Sequence, residues 1–165
     1  MTEKNVANII FRRADNGDSG KVRDLVFNIL KEYGLSPDPL GTDSDLEDIE
    51  KHYFERGGYF EVLEISGELA GSWGLYPLEN KTAELRKMYL SSEYRGKGLG
   101  GKIMDRVFEK CRGLAFNVLV LETASPLKEA IALYEKLGFK KYYKEEVSSR
   151  CDQTYYLKLG EQNDY

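Results

Sequence analysis

Arg95-Gly96-Lys97-Gly98-Leu99-Gly100-Gly101 packs four glycines and two cations into seven positions, directly ahead of an amphipathic segment. Glycine lacks a Cβ, so successive amides can turn inward at φ values that other residues avoid, and such a run can close on an anion. A helix behind it adds unpaired N–H groups and the positive end of its dipole. These residues predict a pyrophosphate site.

Three nucleotide patterns share the run. Gly96-x-Gly98-x-x-Gly101 satisfies the dinucleotide fingerprint, and Glu122 follows about twenty residues later. That fingerprint opens at the end of a buried parallel strand. Here Ser91-Ser92-Glu93-Tyr94-Arg95 separates strand from loop, and the strand itself carries Glu84, Arg86 and Lys87. Gly96-x-x-x-x-Gly101-Lys102 begins a P-loop, but Ile103 stands where the magnesium-holding hydroxyl belongs. The third pattern is Arg-x-x-Gly-x-Gly, at Arg95, Gly98 and Gly100. A solvated glycine-rich turn without a ligand is the plain alternative.

Working outward, Asn8 to Ala14 reads as a first strand. Val22, Leu25, Val26, Ile29, Leu30 and Tyr33 recur at helical spacing up to Gly34. A shorter helix is predicted after Thr42, presenting Leu46, Ile49 and Tyr53. Two β-rich runs between Tyr59 and Leu78 flank the hairpin signal Ser66-Gly67, and another strand runs from Thr82 to Leu90. Ile103, Met104, Val107, Phe108 and Cys111 line one side of the helix after the loop. Asn117 to Leu121 is an apolar run suited to a strand buried on both faces. Pro126 suits a first helical turn, and the stripe Leu127, Ala130, Ile131, Tyr134, Leu137 ends at Gly138. Tyr-rich strands near 139–146 and 153–159 follow, then a frayed tail at 160–165. Residues 1–165 read as one domain, without repeats or low complexity.

Bulk numbers narrow the class. With 41% hydrophobic and 32% charged residues the chain is ordinary for a globular protein. A net charge of −4 argues against a nucleic-acid partner. No stretch is a membrane span and the N-terminus has no apolar signal region, so a cytoplasmic location is expected. Cys111 and Cys151 imply no disulfide framework, and the single His52 with no ligand-spaced Cys pair implies no metal.

Three segments together carry a more specific resemblance: Glu84-Leu85-Arg86-Lys87-Met88-Tyr89-Leu90, Tyr94 through Gly101, and Ala130-Ile131-Ala132-Leu133-Tyr134-Glu135-Lys136-Leu137-Gly138-Phe139. Residues 84 to 139 resemble a GNAT-type N-acetyltransferase. The resemblance implies an α+β fold: a mostly antiparallel twisted sheet of about six or seven strands with helices on both faces. The implied order is strand, two helices, three strands, helix, strand, helix, two strands. It implies acetyl-CoA as donor, with no metal. The loop amides of Arg95, Gly96, Lys97, Gly98, Leu99, Gly100 and Gly101 would hold the pyrophosphate, and the backbone of Met88, Tyr89 and Leu90 would pair with the pantetheine arm. Many relatives carry Asn where this chain has Leu127.

By the same resemblance, the Met88 N–H is the oxyanion donor near a strand bulge, Tyr134 the general acid and Glu84 the base. The residues alone leave other readings open. Tyr134 lies on an apolar stripe that suits a core tyrosine, and Glu84 shares a predicted strand face with Arg86 and Met88, so a Glu–Arg pair could be structural. Asp38, Asp43, Asp45, Glu47, Asp48 and Glu50 form a run without Lys or Arg, either steering a cationic amine or forming a solvated face with its caps. Tyr33, His52, Tyr53, Trp73 and Tyr76 suit a pocket or a core equally. The expected activity is acetyl transfer to a primary amine of a small molecule or amino acid, by direct attack. Cys111 reads as a core residue, and Cys151, in a late polar loop, disfavours a covalent acyl-cysteine. Protein lysine or N-terminal acetylation and a non-catalytic acyl-CoA-binding module are the alternatives. A homodimer stays open.

Overall fold

The computed structural model describes residues 8–160; the tail expected at 160–165 lies, beyond Gly160, outside them. Seven strands form one sheet: β1 (Ile9–Arg13), β2 (Tyr59–Ile65), β3 (Glu68–Pro77), β4 (Thr82–Leu90), β5 (Val118–Thr123), β6 (Lys140–Lys141) and β7 (Gln153–Lys158). Their order is β1-β2-β3-β4-β5-β7-β6, antiparallel except where β4 meets β5. Ser66 and Gly67 form the two-residue β2–β3 turn with φ of +52° and +84°. Positive φ at both positions is what the matching hairpin turn demands.

Three α-helices cover both faces: α1 (Ser19–Glu32), α2 (Leu99–Gly113) and α3 (Lys128–Lys136). Val22, Val26 and Leu30 of α1 pack with Phe60 and Val62. Ile103, Met104 and Val107 of α2 and Tyr134 of α3 join Leu63, Trp73, Leu85 and Leu119 in the other cluster. Strand alternation accounts for this division of β2 between two cores. Among the described residues no helix is long and apolar enough to cross a membrane.

Two predicted elements take other forms. The helix expected after Thr42 is a 3-10 turn at Ser44–Glu47 and a π-helical turn at Glu50–Phe54, still burying Leu46, Ile49 and Tyr53. The strand expected near 139–146 pairs only at Lys140–Lys141, and the chain then loops back across the sheet. Pro126 lies in the turn before α3, which begins at Lys128.

The parallel pairing of β4 and β5 is short. It joins Thr82 to Val118, Ala83 to Leu119 and Glu84 to Val120, then stops. Beyond Glu84 the strands part, and the gap between them positions the site.

Candidate functional site

Two cavities adjoin the part of β4 that follows Glu84. The smaller, about 160 Å³, is lined by Leu90, Arg95, Gly96, Gly100 and Leu133 among others. Gly96 and Gly98 have φ of +76° and +81°, as the anion-loop reading requires. Gly98 leads into α2, where Lys102 donates to the Gly98 carbonyl at 3.3 Å. The amides of Leu99, Gly100 and Gly101 come earlier in the first turn, where no helical carbonyl precedes them. A Cβ at Gly100 would stand 3.2 Å from Leu133 Cδ2, so loop and α3 lie in close contact. The Arg95 side chain faces inward: Nε donates to the Leu90 carbonyl at 2.9 Å and the guanidinium pairs with Glu32. It pins the loop to α1 and β4. The Lys97 ammonium lies 5.8 Å from the Tyr94 ring centroid.

Between the cavities β4 bulges. Ser72 pairs with Tyr89 and Gly74 with Arg86, so β4 holds one more residue than β3 over this step. Lys87 takes φ of +55°, and Ser72 Oγ donates to its carbonyl at 2.7 Å. The extra residue changes which side Met88 faces. Met88 and Leu90 pack against the cluster of α2 and α3, Tyr89 against that of α1. Met88 therefore departs from the face expected to be shared with Glu84 and Arg86.

The larger cavity, about 460 Å³, is walled by β4, β5, α3, the segment around 41–56 and the loop around Arg150. Glu84 and Tyr134 both line it, each nearly buried. Glu84 accepts from Arg86 Nε, and the Arg86 guanidinium lies 3.7 Å from the Tyr76 ring centroid. Tyr134 donates to Met88 Sδ at 3.7 Å, a weak acceptor. Burial pushes the Tyr134 hydroxyl well above its ordinary value of 10.0, with the neighbouring Tyr89 adding to the effect. The helix end fixes its position: Phe139 N–H donates to the Tyr134 carbonyl at 3.0 Å and Gly138 N–H to Glu135 at 3.1 Å. With Gly138 at φ +94° this is a Schellman cap, and Phe139 packs on the Tyr134 ring.

The acidic run is largely committed within the chain. Lys87 Nζ lies 2.9 Å from Asp43 and 3.4 Å from Asp45, and Arg150 donates two 2.7 Å bonds to Asp43. Tyr53 donates to Asp45, Glu47 pairs with Arg23, and Asp48 and Glu50 accept from Asn16. Of the aromatic candidates, His52 and Tyr76 line the larger cavity and Tyr33 the smaller. Tyr53 and Trp73 are core, the latter donating to Glu61 at 2.9 Å. Leu127 borders both cavities. Arg56, Glu122, Arg150 and Cys151 also line the larger cavity and were not singled out as pocket residues by sequence reasoning. Cys151 belongs to a late loop, as expected, but the loop returns to the cavity wall. Burial raises its thiol, which works against the thiolate that nucleophilic catalysis needs.

Residues 24–139 match the Acetyltransferase (GNAT) family. The uncharacterized N-acetyltransferase YjgM of Escherichia coli is 38% identical over 136 residues, 79% of this chain and 81% of that protein. Of vertebrate N-acetyltransferases that it matches, such as camello of Xenopus tropicalis and N-acetyltransferase 8 of Homo sapiens, the chain spans about half the length (53% and 46%). An acetyltransferase of the GNAT family from Staphylococcus aureus Mu50 superposes with a TM-score of 0.86 at 23% identity, over 93% of this chain and all (100%) of that one. YncA of Salmonella typhimurium, solved with acetyl-CoA, gives 0.73 at 21% identity over 94% and 96%. The chain is an acetyltransferase belonging to the GNAT family.

Proposed function

We propose that the chain, working as one domain, transfers an acetyl group from acetyl-CoA to the primary amine of a small molecule or amino acid by direct attack. The observation that carries this reading is the meeting of the two cavities along Met88 and Tyr89, with Glu84 and Tyr134 on the wall of the larger. The smaller cavity suits the donor, since its glycine loop and open helix end offer amides to a pyrophosphate. The larger suits an acceptor of metabolite size.

Acetyl-CoA supplies an acyl group activated as a thioester. The residues divide the remaining work. Glu84 takes the proton of the acceptor amine, directly or through a water. Met88 N–H, at the bulge, faces the charge that develops on the carbonyl oxygen. Tyr134 donates a hydrogen bond to the departing sulfur. With the hydroxyl pushed above its ordinary value, full proton transfer to a thiolate of pKa about 8.5 is uphill, so Tyr134 acts mainly as a donor. A hydrogen bond to a charged group contributes about 1.5–3 kcal/mol. Tyr134→Phe is therefore expected to lower kcat about 10- to 100-fold while leaving the fold intact; unchanged kcat on the best acceptor excludes the role.

Gly98→Ala tests the donor loop. A side chain in the left-handed region costs roughly 1–2 kcal/mol, expected as a lower urea midpoint and weaker retention on immobilised CoA; retention equal to wild type removes the loop from the donor site. The activity itself is tested by thiol release from acetyl-CoA across amino acids, polyamines, aminoglycosides and peptides. Release confined to peptides overturns the small-acceptor reading.

A further inference from the structure

Seven charged side chains line the larger cavity, and ion pairs account for six of them. Glu84 holds Arg86, Lys87 reaches Asp43 and Asp45, Arg150 holds Asp43, and Glu122 holds Lys144. Arg56 is the seventh, with no acidic partner among the described residues. Its guanidinium lies 5.1 Å from the centroid of the Tyr76 ring, the same ring that Arg86 approaches at 3.7 Å. Two guanidiniums thus stand at one aromatic ring, and of the two only Arg86 is ion-paired, to Glu84.

That imbalance constrains the acceptor. An amine arrives as an ammonium and competes with Arg86 for Glu84. A polyamine would add positive charge to a region already holding Arg56 and Arg86. A zwitterion completes the set: its ammonium meets Glu84, while its carboxylate meets Arg56 and the loosened Arg86. The planar guanidinium fork suits a carboxylate because it offers two parallel N–H donors.

We infer that the acceptor carries a carboxylate close to its amine, as an α-amino acid does, and that Arg56 is the side chain that reads it. The inference rests on the acetyl-transfer reading for the placement of the amine at Glu84, and its test separates the two.

Matched pairs, L-phenylalanine with phenethylamine, L-lysine with cadaverine and L-glutamate with 4-aminobutyrate, are compared by thiol release from acetyl-CoA. Binding of the same compounds is followed in parallel by calorimetry. For at least one pair the amino acid is expected to exceed its decarboxylated partner in kcat/KM by about 10- to 100-fold, the range of one charge-assisted hydrogen-bonded pair. Arg56→Gln is expected to collapse that preference through KM, and Arg56→Lys to restore part of it. Equal or greater activity on the decarboxylated amines overturns the carboxylate site and leaves acetyl transfer standing. Amino-acid binding that Arg56→Gln abolishes, without thiol release from any compound, supports the site and counts against the transfer reading. Amino-acid preference untouched by Arg56→Gln, or no amino-acid binding at all, rejects the role given to Arg56.

Discussion

Glu84→Gln is expected to lower kcat about 100- to 1,000-fold, within the usual range for removing a general base, while the KM for acetyl-CoA stays near wild type. The amide preserves the shape of the side chain and can still accept from Arg86, so the substitution removes charge and basicity with little change in packing. The pH profile separates a base from a structural partner. Without the carboxylate, the rate climbs only as the acceptor amine itself loses its proton, at about pH 10 for a primary alkyl ammonium. Glu84→Asp keeps the charge but shortens the reach, and is expected to fall between the two. Stopped-flow thiol release from about pH 6 to about pH 10.5 provides the measurement. Wild-type kcat in the glutamine variant would reduce Glu84 to a structural partner of Arg86.

Asp43→Asn is expected to cost about 3–5 kcal/mol of stability, because it leaves Arg150 and Lys87 buried with too little negative charge. For a chain of this size that is a drop in melting temperature of about 10 °C. Asp43 is only 1% exposed. Burial alone would raise its pKa, but the bonds from Arg150 and the charge of Lys87 overcome this and hold it at about 2 against an ordinary 3.8. A carboxylate with a depressed folded value stabilises the fold at pH above its unfolded value, and loses that contribution as the pH falls through the folded one. The window is therefore pH 4 down to 2, and the contribution at stake is about 2 kcal/mol. Urea midpoints are expected to fall across that window in the wild type and to lack this step in the variant. A variant within about 1 kcal/mol of wild type at pH 7 would show the network to be dispensable.

What was legible in the sequence follows from how local each determinant is. The helices of Val22–Leu30 and Ile103–Cys111, the Ser66-Gly67 turn and the Gly138 cap each depend on residues within a few positions of one another. The proposed donor side is similar, since β4, the loop and the start of α2 are contiguous from Met88 to Gly101. The bulge at Lys87 was implied by the resemblance but by no local pattern, because it is set by register against Ser72 on another strand. The wall of the larger cavity was less legible still. Arg150 meets Asp43 across 107 positions, and no periodicity or spacing links them. The acidic run at 38–50 looked like a solvated face or a steering surface because its partners, Lys87 and Arg150, lie elsewhere in the chain. Arg56 gave no signal at all: it stands out only because the other six charged side chains lining the larger cavity are ion-paired.

A trans peptide is a rigid plate with its carbonyl and its N–H on opposite edges. Ser72, fully buried in β3, grips the carbonyl edge of the plate joining Lys87 to Met88. The far edge, the Met88 N–H, must then face away from Ser72. The Lys87 side chain, tied to Asp43 and to the Thr42 carbonyl at 3.1 Å, anchors the same plate at its corner. A hydrogen bond on the carbonyl also polarises the amide and strengthens it as a donor. The direction in which this N–H points is therefore set from behind, by a neighbouring strand and a distant loop.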